Sequence, residues 1–311
     1  MKFKKAVLIN ISESHFDKKY LDKLNSLVEH KVSLGRDDPK LKEELKGCDC
    51  LLLGFQVLID KNILDAAPTL KLINILATAY GTVDLEAAAR RNIPVCNLAG
   101  YSTESVAEFI IAAILHEIRG IGEGLKRARA GNYSFDGIRA LELKNSNFGV
   151  IGLGSIGNRV AELAAGFGAN VHYWSRHEKE NQFKYQELNG LLSSCRYISV
   201  NVAETEETVG LLNSKNLSLI RPDSVLISTV PPPVIDTDAL ASRLAKKDIT
   251  FISDHPDEMP PEELEKLKAF DNCVFYPPIA FVSDEARIAK QEIFIGNMTG
   301  FLEGKVQNRV N

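Results

Sequence analysis

The 311-residue chain, 45% hydrophobic and 25% charged, is long enough to bury two separate cores and has the composition of a folded globular protein. A net charge of −4 leaves no electrostatic footprint for nucleic acid or for an anionic membrane surface. The longest purely apolar run, Phe109 to Leu115, is far shorter than the ~20 residues that span a bilayer. Basic residues cluster at Lys126, Arg127 and Arg129, but acids are interspersed and the group reads as a solvated helix face.

The apolar stretch after Lys4-Lys5 is too short for a signal peptide and reads as a first strand. Cys48, Cys50, Cys96, Cys195 and Cys273 form an odd set with no CxxC pair and no histidine ligand pattern. They argue against a disulfide framework or a metal site and suit a reducing cytoplasm.

In chain order, β-branched and leucine-rich runs predict strands at Ala6–Ile11, Cys50–Gly54, Leu72–Leu76 and Val95–Asn97. Amphipathic segments at Phe16–Glu29, Lys40–Lys46 and Leu85–Arg91 separate them, and this alternation implies a parallel sheet with helices on both faces. The hydroxyls of Ser102-Thr103-Glu104-Ser105 offer N-caps for a helix whose apolar residues recur from Val106 to Ile114. A polar, glycine-containing stretch from Gly120 to Asn147 follows. A second alternating unit then predicts strands at Phe148–Ile151, Asn170–Trp174, Tyr197–Val202, Val225–Thr229 and Thr250–Ser253. The helical pattern of Ser283–Leu302 is expected to return to the first unit, giving an α/β protein of two doubly wound parallel-sheet domains. Residues 1–100 with 283–311 would form an outer, flavodoxin-like domain, and residues 101–282 an inserted Rossmann domain.

The strongest local signal is Val150-Ile151-Gly152-Leu153-Gly154-Ser155-Ile156-Gly157. It directly follows a predicted strand and opens a predicted helix, Asn158 to Phe167. Gly152 allows the tight turn, Gly154 the approach of backbone to a pyrophosphate, and Gly157 close helix–strand packing. The next strand ends Trp174-Ser175-Arg176-His177, without the acidic residue that would hydrogen-bond an adenosine ribose. Ser175 removes the repulsion of a 2′-phosphate, and Arg176 with His177 can pair with one. NADP(H) is thereby favoured over NAD(H), the alternative being that Arg176 simply points into solvent.

The likeness extends beyond this loop. Ala77-Thr78, Val83 to Ala88, Ile93-Pro94-Val95-Cys96-Asn97 and Gly100-Tyr101-Ser102-Thr103 carry it in the first unit; Thr205, Thr208, Gly210-Leu211-Leu212-Asn213, Asp236, Asp254, Ile279-Ala280 and Glu285-Ala286-Arg287 continue it. From about residue 45 onward the chain resembles the D-isomer-specific 2-hydroxyacid dehydrogenases, most of all the glycerate dehydrogenase/hydroxypyruvate reductase branch. The resemblance implies a dinucleotide held by Gly152, Gly154, Ser155, Ile156, Gly157, Ser175, Arg176, His177, Val202, Thr208, Thr229, Val230 and Asp254. It also implies a small carboxylate ligand and a homodimer formed through the nucleotide-binding domain.

Three positions depart from the family. Its arginine, which binds the substrate carboxylate, is replaced by Pro231, its glutamate by Met259 and its proton-donating histidine by Pro278. Proline has no titratable side chain. A positioned general acid contributes roughly 10²–10⁴ in rate, so ordinary 2-keto acid reduction is expected to be negligible. His255 and Glu258 are the candidate substitutes, and a one-residue slip at Glu258 would restore a carboxylate; Tyr80, Tyr101 and His116 are further polar aromatics. In the substrate loop, Thr78-Ala79-Tyr80, Ala79 stands for a glycine and Tyr80 adds bulk. Two readings follow: a catalytically degenerate member serving as cofactor-binding sensor or regulator, or an oxidoreductase acting on a small 2-hydroxy or 2-keto acid, or a changed substrate, by another mechanism.

Overall fold

The computed structural model describes residues 1–55 and 57–311. The chain divides into two compact units, Met1–Ser102 with Ser283–Asn311, and Thr103–Val282.

The first unit carries β1 (Phe3–Ile9), α1 (Lys18–Leu27), β2 (Val28–Leu34), α2 (Leu41–Leu45), β3 (Cys50–Leu53), α3 (Lys61–Asp65), β4 (Leu72–Ile75), α4 (Leu85–Arg90) and β5 (Val95–Cys96). The second holds α5 (Thr103–Ile118), α6 (Ile121–Arg129), β6 (Asn147–Ile151), α7 (Ser155–Gly166), β7 (Asn170–Trp174), β8 (Lys184–Tyr185), α8 (Leu188–Ser194) and β9 (Tyr197–Val200). It continues through α9 (Ser214–Leu217), β10 (Ser224–Ser228), α10 (Thr237–Leu244), β11 (Ile249–Ser253), α11 (Pro261–Lys268) and β12 (Cys273–Phe275). Finally α12 (Asp284–Leu302) returns to the first unit. No helix among the described residues is long and apolar enough to cross a membrane.

Both sheets are wholly parallel, in the orders β2-β1-β3-β4-β5 and β12-β11-β10-β9-β6-β7-β8. Each is covered on both faces. In β1 and β3, Val7, Ile9, Leu51 and Leu53 enter one core cluster, while Ala6, Leu8, Cys50 and Leu52 enter another. Double burial explains why these strands read as unbroken apolar runs rather than as alternating ones.

Several boundaries differ from the sequence-based expectation. The first strand ends at Ile9, because Asn10 takes a left-handed conformation (φ 55°) that no strand continues through. The predicted helix Phe16–Glu29 stops at Leu27, and Val28–Leu34 forms an edge strand paired to β1. Its mixed sequence, VEHKVSL, lacks the apolar run of the central strands because part of it faces solvent. The polar stretch after Gly120 contains α6, whose half-buried Arg127 pairs with Glu123 at 2.7 Å. The predicted helix Asn158–Phe167 begins three residues earlier, at Ser155, since the Asn158 N–H already bonds the Gly154 carbonyl at 2.8 Å. The ninth and tenth strands end at Val200 and Ser228, which leaves Val202 and Thr229 in the loops beyond them.

Candidate dinucleotide site

The carboxyl ends of β6, β9, β10 and β11 place the predicted site residues along one edge of the seven-stranded sheet. Between β6 and β9 the chain order reverses, which is where doubly wound sheets open a crevice for a ligand. Gly152 leaves β6 with φ 94°, and its N–H bonds the Trp174 carbonyl at 2.8 Å. A Cβ on Gly152 would come within 2.8 Å of the Asn201 carbonyl and of Val202 Cγ1, so the turn is packed against the loop after β9. Gly157 lies over Gly152 so closely that a Cβ would stand 1.9 Å from its carbonyl oxygen.

Gly154 is the opposite case. A Cβ there would meet nothing within 4 Å, and the residue makes no side-chain cap for α7. Open space thus borders Gly154 at the positive end of the α7 dipole, where the helix's first N–H groups have no side-chain cap from this residue, an arrangement suited to a phosphate. Ser155 is exposed beside them and Ile156 is half-buried. On these grounds the loop fits a pyrophosphate.

At the end of β7, buried Ser175 donates its hydroxyl to the His177 carbonyl at 2.5 Å. Arg176 is exposed and its guanidinium meets Glu207 at 2.5 Å, rather than projecting free into solvent. Two residues that the sequence reading passed over belong here. Lys179 donates its ammonium to the Leu153 carbonyl of the glycine loop at 2.6 Å. Its backbone is held by the hydroxyl of fully buried Tyr173, which accepts from the Lys179 N–H and donates to its carbonyl, each at 2.8 Å. Asn201, next to Gly152, has a buried Oδ1 without a hydrogen-bond partner, although its Nδ2 donates to Ser199 at 2.9 Å. Neither residue carries a sequence signal, because each is defined by what folds against it.

Beyond β9 and β10 the structure sorts the remaining candidates. Thr208 turns inward, donating to the Ala203 carbonyl at 2.7 Å while accepting from the Thr205 N–H at 2.8 Å, so its hydroxyl shapes the loop. Val202 and Val230 pack on the core beneath β10 and β11, and Met259 packs there too. Thr229 is half-buried just past β10, and Pro231 precedes a 3₁₀ turn, Pro232–Val234. Pro278 lies in the loop after β12. In the first unit, Thr78, Ala79 and Tyr80 form an exposed loop beyond β4, steadied by the Asn97 amide donating to the Thr78 carbonyl at 2.7 Å.

Asp254, at the end of β11, is fully buried and accepts the Ala280 N–H at 3.0 Å. Burial pushes its carboxyl above the ordinary carboxylate range, against the pull of the adjacent His255. Glu258, one residue before Met259, is pushed up by burial as well. Its Oε1 stands 4.0 Å from His255 Nδ1, so the carboxylate faces an imidazole while Met259 faces the core.

Residues 111–280 match the family model for the NAD binding domain of D-isomer specific 2-hydroxyacid dehydrogenases. The chain belongs to this family. It is 30% identical over 279 residues to the glyoxylate reductase of Pyrococcus furiosus, covering 86% of this chain and 83% of that one. Among solved structures it resembles the TT0316 protein of Thermus thermophilus, with a TM-score of 0.85 at 29% identity over 98% of this chain and all of the other. It also resembles a D-lactate dehydrogenase of Aquifex aeolicus complexed with NAD and lactic acid, with a TM-score of 0.83 at 25% identity over 96% of both chains. The two parallel-sheet α/β domains are those of the D-2-hydroxyacid dehydrogenases. The family's NAD binding domain is the one that here holds the Gly152–Gly157 loop.

Proposed function

We propose that this D-2-hydroxyacid dehydrogenase relative binds NADP(H) in preference to NAD(H) and does not carry out ordinary 2-keto acid reduction. It would act as a degenerate member of the family, a cofactor-binding sensor or regulator. The observation that carries this reading is the pairing of an open phosphate cradle at Gly154 with the side chains at Pro231, Met259 and Pro278. The cradle can grip a dinucleotide. Met259 packs half-buried against the core, and neither proline holds a proton or a charge with which to bind a keto acid.

The cofactor preference rests on the end of β7. The strand itself ends in Ser175 and not in an acidic residue, the Glu207 carboxylate comes from another loop, and both members of the Arg176–Glu207 pair are exposed, at 62% and 66%. Such a surface pair contributes little, so a 2′-phosphate can take the guanidinium in a stronger, charge-assisted contact. Exposed Tyr133 and Phe135, at 85% and 83%, follow α6 and its exposed Ile121 and Leu125. This apolar surface supports a homodimer formed by a second copy of the chain; sedimentation showing only monomer at micromolar concentration would refute it. Five free cysteines, four of them buried, support a cytoplasmic location.

A second reading is favoured by one observation, the His255–Glu258 approach. A histidine facing a carboxylate is an acid–base pair, and an oxidoreductase acting on a changed substrate, or on a small 2-hydroxy or 2-keto acid by another route, would use it. Titration of the purified chain with NADPH and NADH, followed by mixing with glyoxylate, hydroxypyruvate or pyruvate, separates the readings. NADPH is expected to bind roughly tenfold tighter or more, with no oxidation above background. Robust turnover overturns the degenerate reading, and tighter NADH binding overturns the assignment of Arg176.

A further inference from the structure

The loop after β11 crowds carboxylates around one imidazole. Asp254 is fully buried, and while its Oδ2 accepts from Ala280, its Oδ1 has no hydrogen-bond partner and lies 3.6 Å from His255 Nε2. At the opposite edge of the ring, His255 Nδ1 is buried and also unpartnered, 4.0 Å from oxygens of both Asp257 and Glu258. Glu204, from the loop after β9, adds negative charge near Glu258. No contact in the cluster closes to hydrogen-bond distance. A buried carboxylate oxygen left without a donor is costly, and a proton or an external cation relieves it.

The sheet order indicates which cation. With the pyrophosphate on α7, one half of a dinucleotide extends past the end of β7, towards Ser175. The other half extends over the ends of β9, β10 and β11. Asp254 and His255 follow β11, on the nicotinamide side. The oxidised nicotinamide ring carries a positive charge and the reduced ring is neutral.

We propose that Asp254, His255 and Glu258 make the protein select the oxidised dinucleotide over the reduced one, with release of a proton from the cluster when the oxidised form binds. This rests on the dinucleotide reading above and deepens it, since a redox-selective binder needs no acid at Pro278. Carboxylate oxygens of Asp254, Asp257 and Glu258 crowd within 4.0 Å of one imidazole, and burial pushes Asp254 and Glu258 upward; in this proposal the cluster shares a proton that an arriving positive charge expels. Affinity for the oxidised form then rises with pH, by up to about tenfold per unit for one proton released, and levels off once that proton is lost. Affinity for the reduced form does not follow this rise.

The test is calorimetric titration of the full chain with NADP⁺ and NADPH between pH 6 and 8, in two buffers of different protonation enthalpy. At pH 8 the oxidised form is expected to bind roughly tenfold to a hundredfold tighter. Its heat should show net proton release, and that of NADPH should show none. Asp254→Asn is expected to bring the two affinities within a few-fold of each other. His255→Gln and Glu258→Gln, at half-buried positions, should flatten the pH dependence and remove the buffer-dependent heat; they keep the test informative if Asp254→Asn fails to fold. Equal affinities, or no proton release, overturn this inference while leaving the dinucleotide reading intact. Failure to bind either form overturns both.

Discussion

Gly157→Ala is expected to abolish measurable dinucleotide binding and to lower the melting temperature. The new Cβ would stand 1.9 Å from the Gly152 carbonyl oxygen and 3.0 Å from its carbon, both backbone atoms of the phosphate loop. Neither can swing aside as a flexible side chain would. The loop or the start of α7 must therefore move away from β6. Such overpacking costs roughly 1–3 kcal/mol, equivalent to a fall of about 2–12 °C for a unit of this size.

Gly154→Ala supplies the matched contrast. At Gly154 the added methyl meets no protein atom, and the backbone φ of −81° suits alanine. The variant is expected to melt like the parent while binding the dinucleotide at least tenfold more weakly, because the methyl occupies space left for phosphate. Thermal denaturation and cofactor titration of the two variants side by side check the pair. A Gly157→Ala protein that binds and melts as the parent does would show that the loop has no role in holding the helix against the strand.

The second large effect is expected in the first unit, where Asn297→Ala should cost roughly 3 kcal/mol or more. Asn297 is fully buried on α12. Its Nδ2 donates to Asn74 Oδ1 on β4 at 3.0 Å and to the Asn97 carbonyl at 2.9 Å, while its Oδ1 accepts from Asn308 at 2.8 Å. One amide thus ties the returning helix to β4, to the chain just past β5 and to the C-terminal tail. Truncation deprives three polar groups of a partner at once, each worth roughly 1–3 kcal/mol when buried and unsatisfied. The tail is further held by the Val310 N–H on the Val95 carbonyl at 2.9 Å and by Asn311 Oδ1 accepting the Val95 N–H at 2.9 Å. Chemical denaturation is the direct measurement, and limited proteolysis should show the segment after Leu302 becoming cleavable. An Asn297→Ala protein within about 0.5 kcal/mol of the parent would mean that water or neighbouring amides take over the network.

The central strands and the glycine loop were readable from residues alone because each rests on a local rule. A strand buried on both faces must be apolar at nearly every position, as Cys50–Leu53 and Leu72–Ile75 are apart from Asn74. A turn that passes beneath a helix must be glycine at both points of contact, as Gly152 and Gly157 are. Edge strand β2 and helices α8 to α11 went unread because their exposed faces dilute the apolar period, over segments of only four to eight residues in the helices. The register near Glu258 was open in the sequence. In the fold, Met259 packs partly buried against the core while Glu258 lies 4.0 Å from His255, a placement that linear order does not contain.

Residues adjacent in the chain were enough to establish the fold class and to single out the glycine loop, and they motivate the proposal that Pro231, Met259 and Pro278 stand where the family has its arginine, glutamate and histidine. Each of these follows from local chemistry. Which ionisable groups meet was fixed by folding alone: Arg176 with Glu207, Lys179 with the glycine loop, and Asp254 and Glu258 on either side of His255. Charge and hydrogen-bonding chemistry depend on distance and burial, which a linear order does not contain. Arg176 and Glu207 lie on loops after different strands, and even for neighbours such as Asp254, His255 and Glu258 side-chain direction is set by the core beneath them.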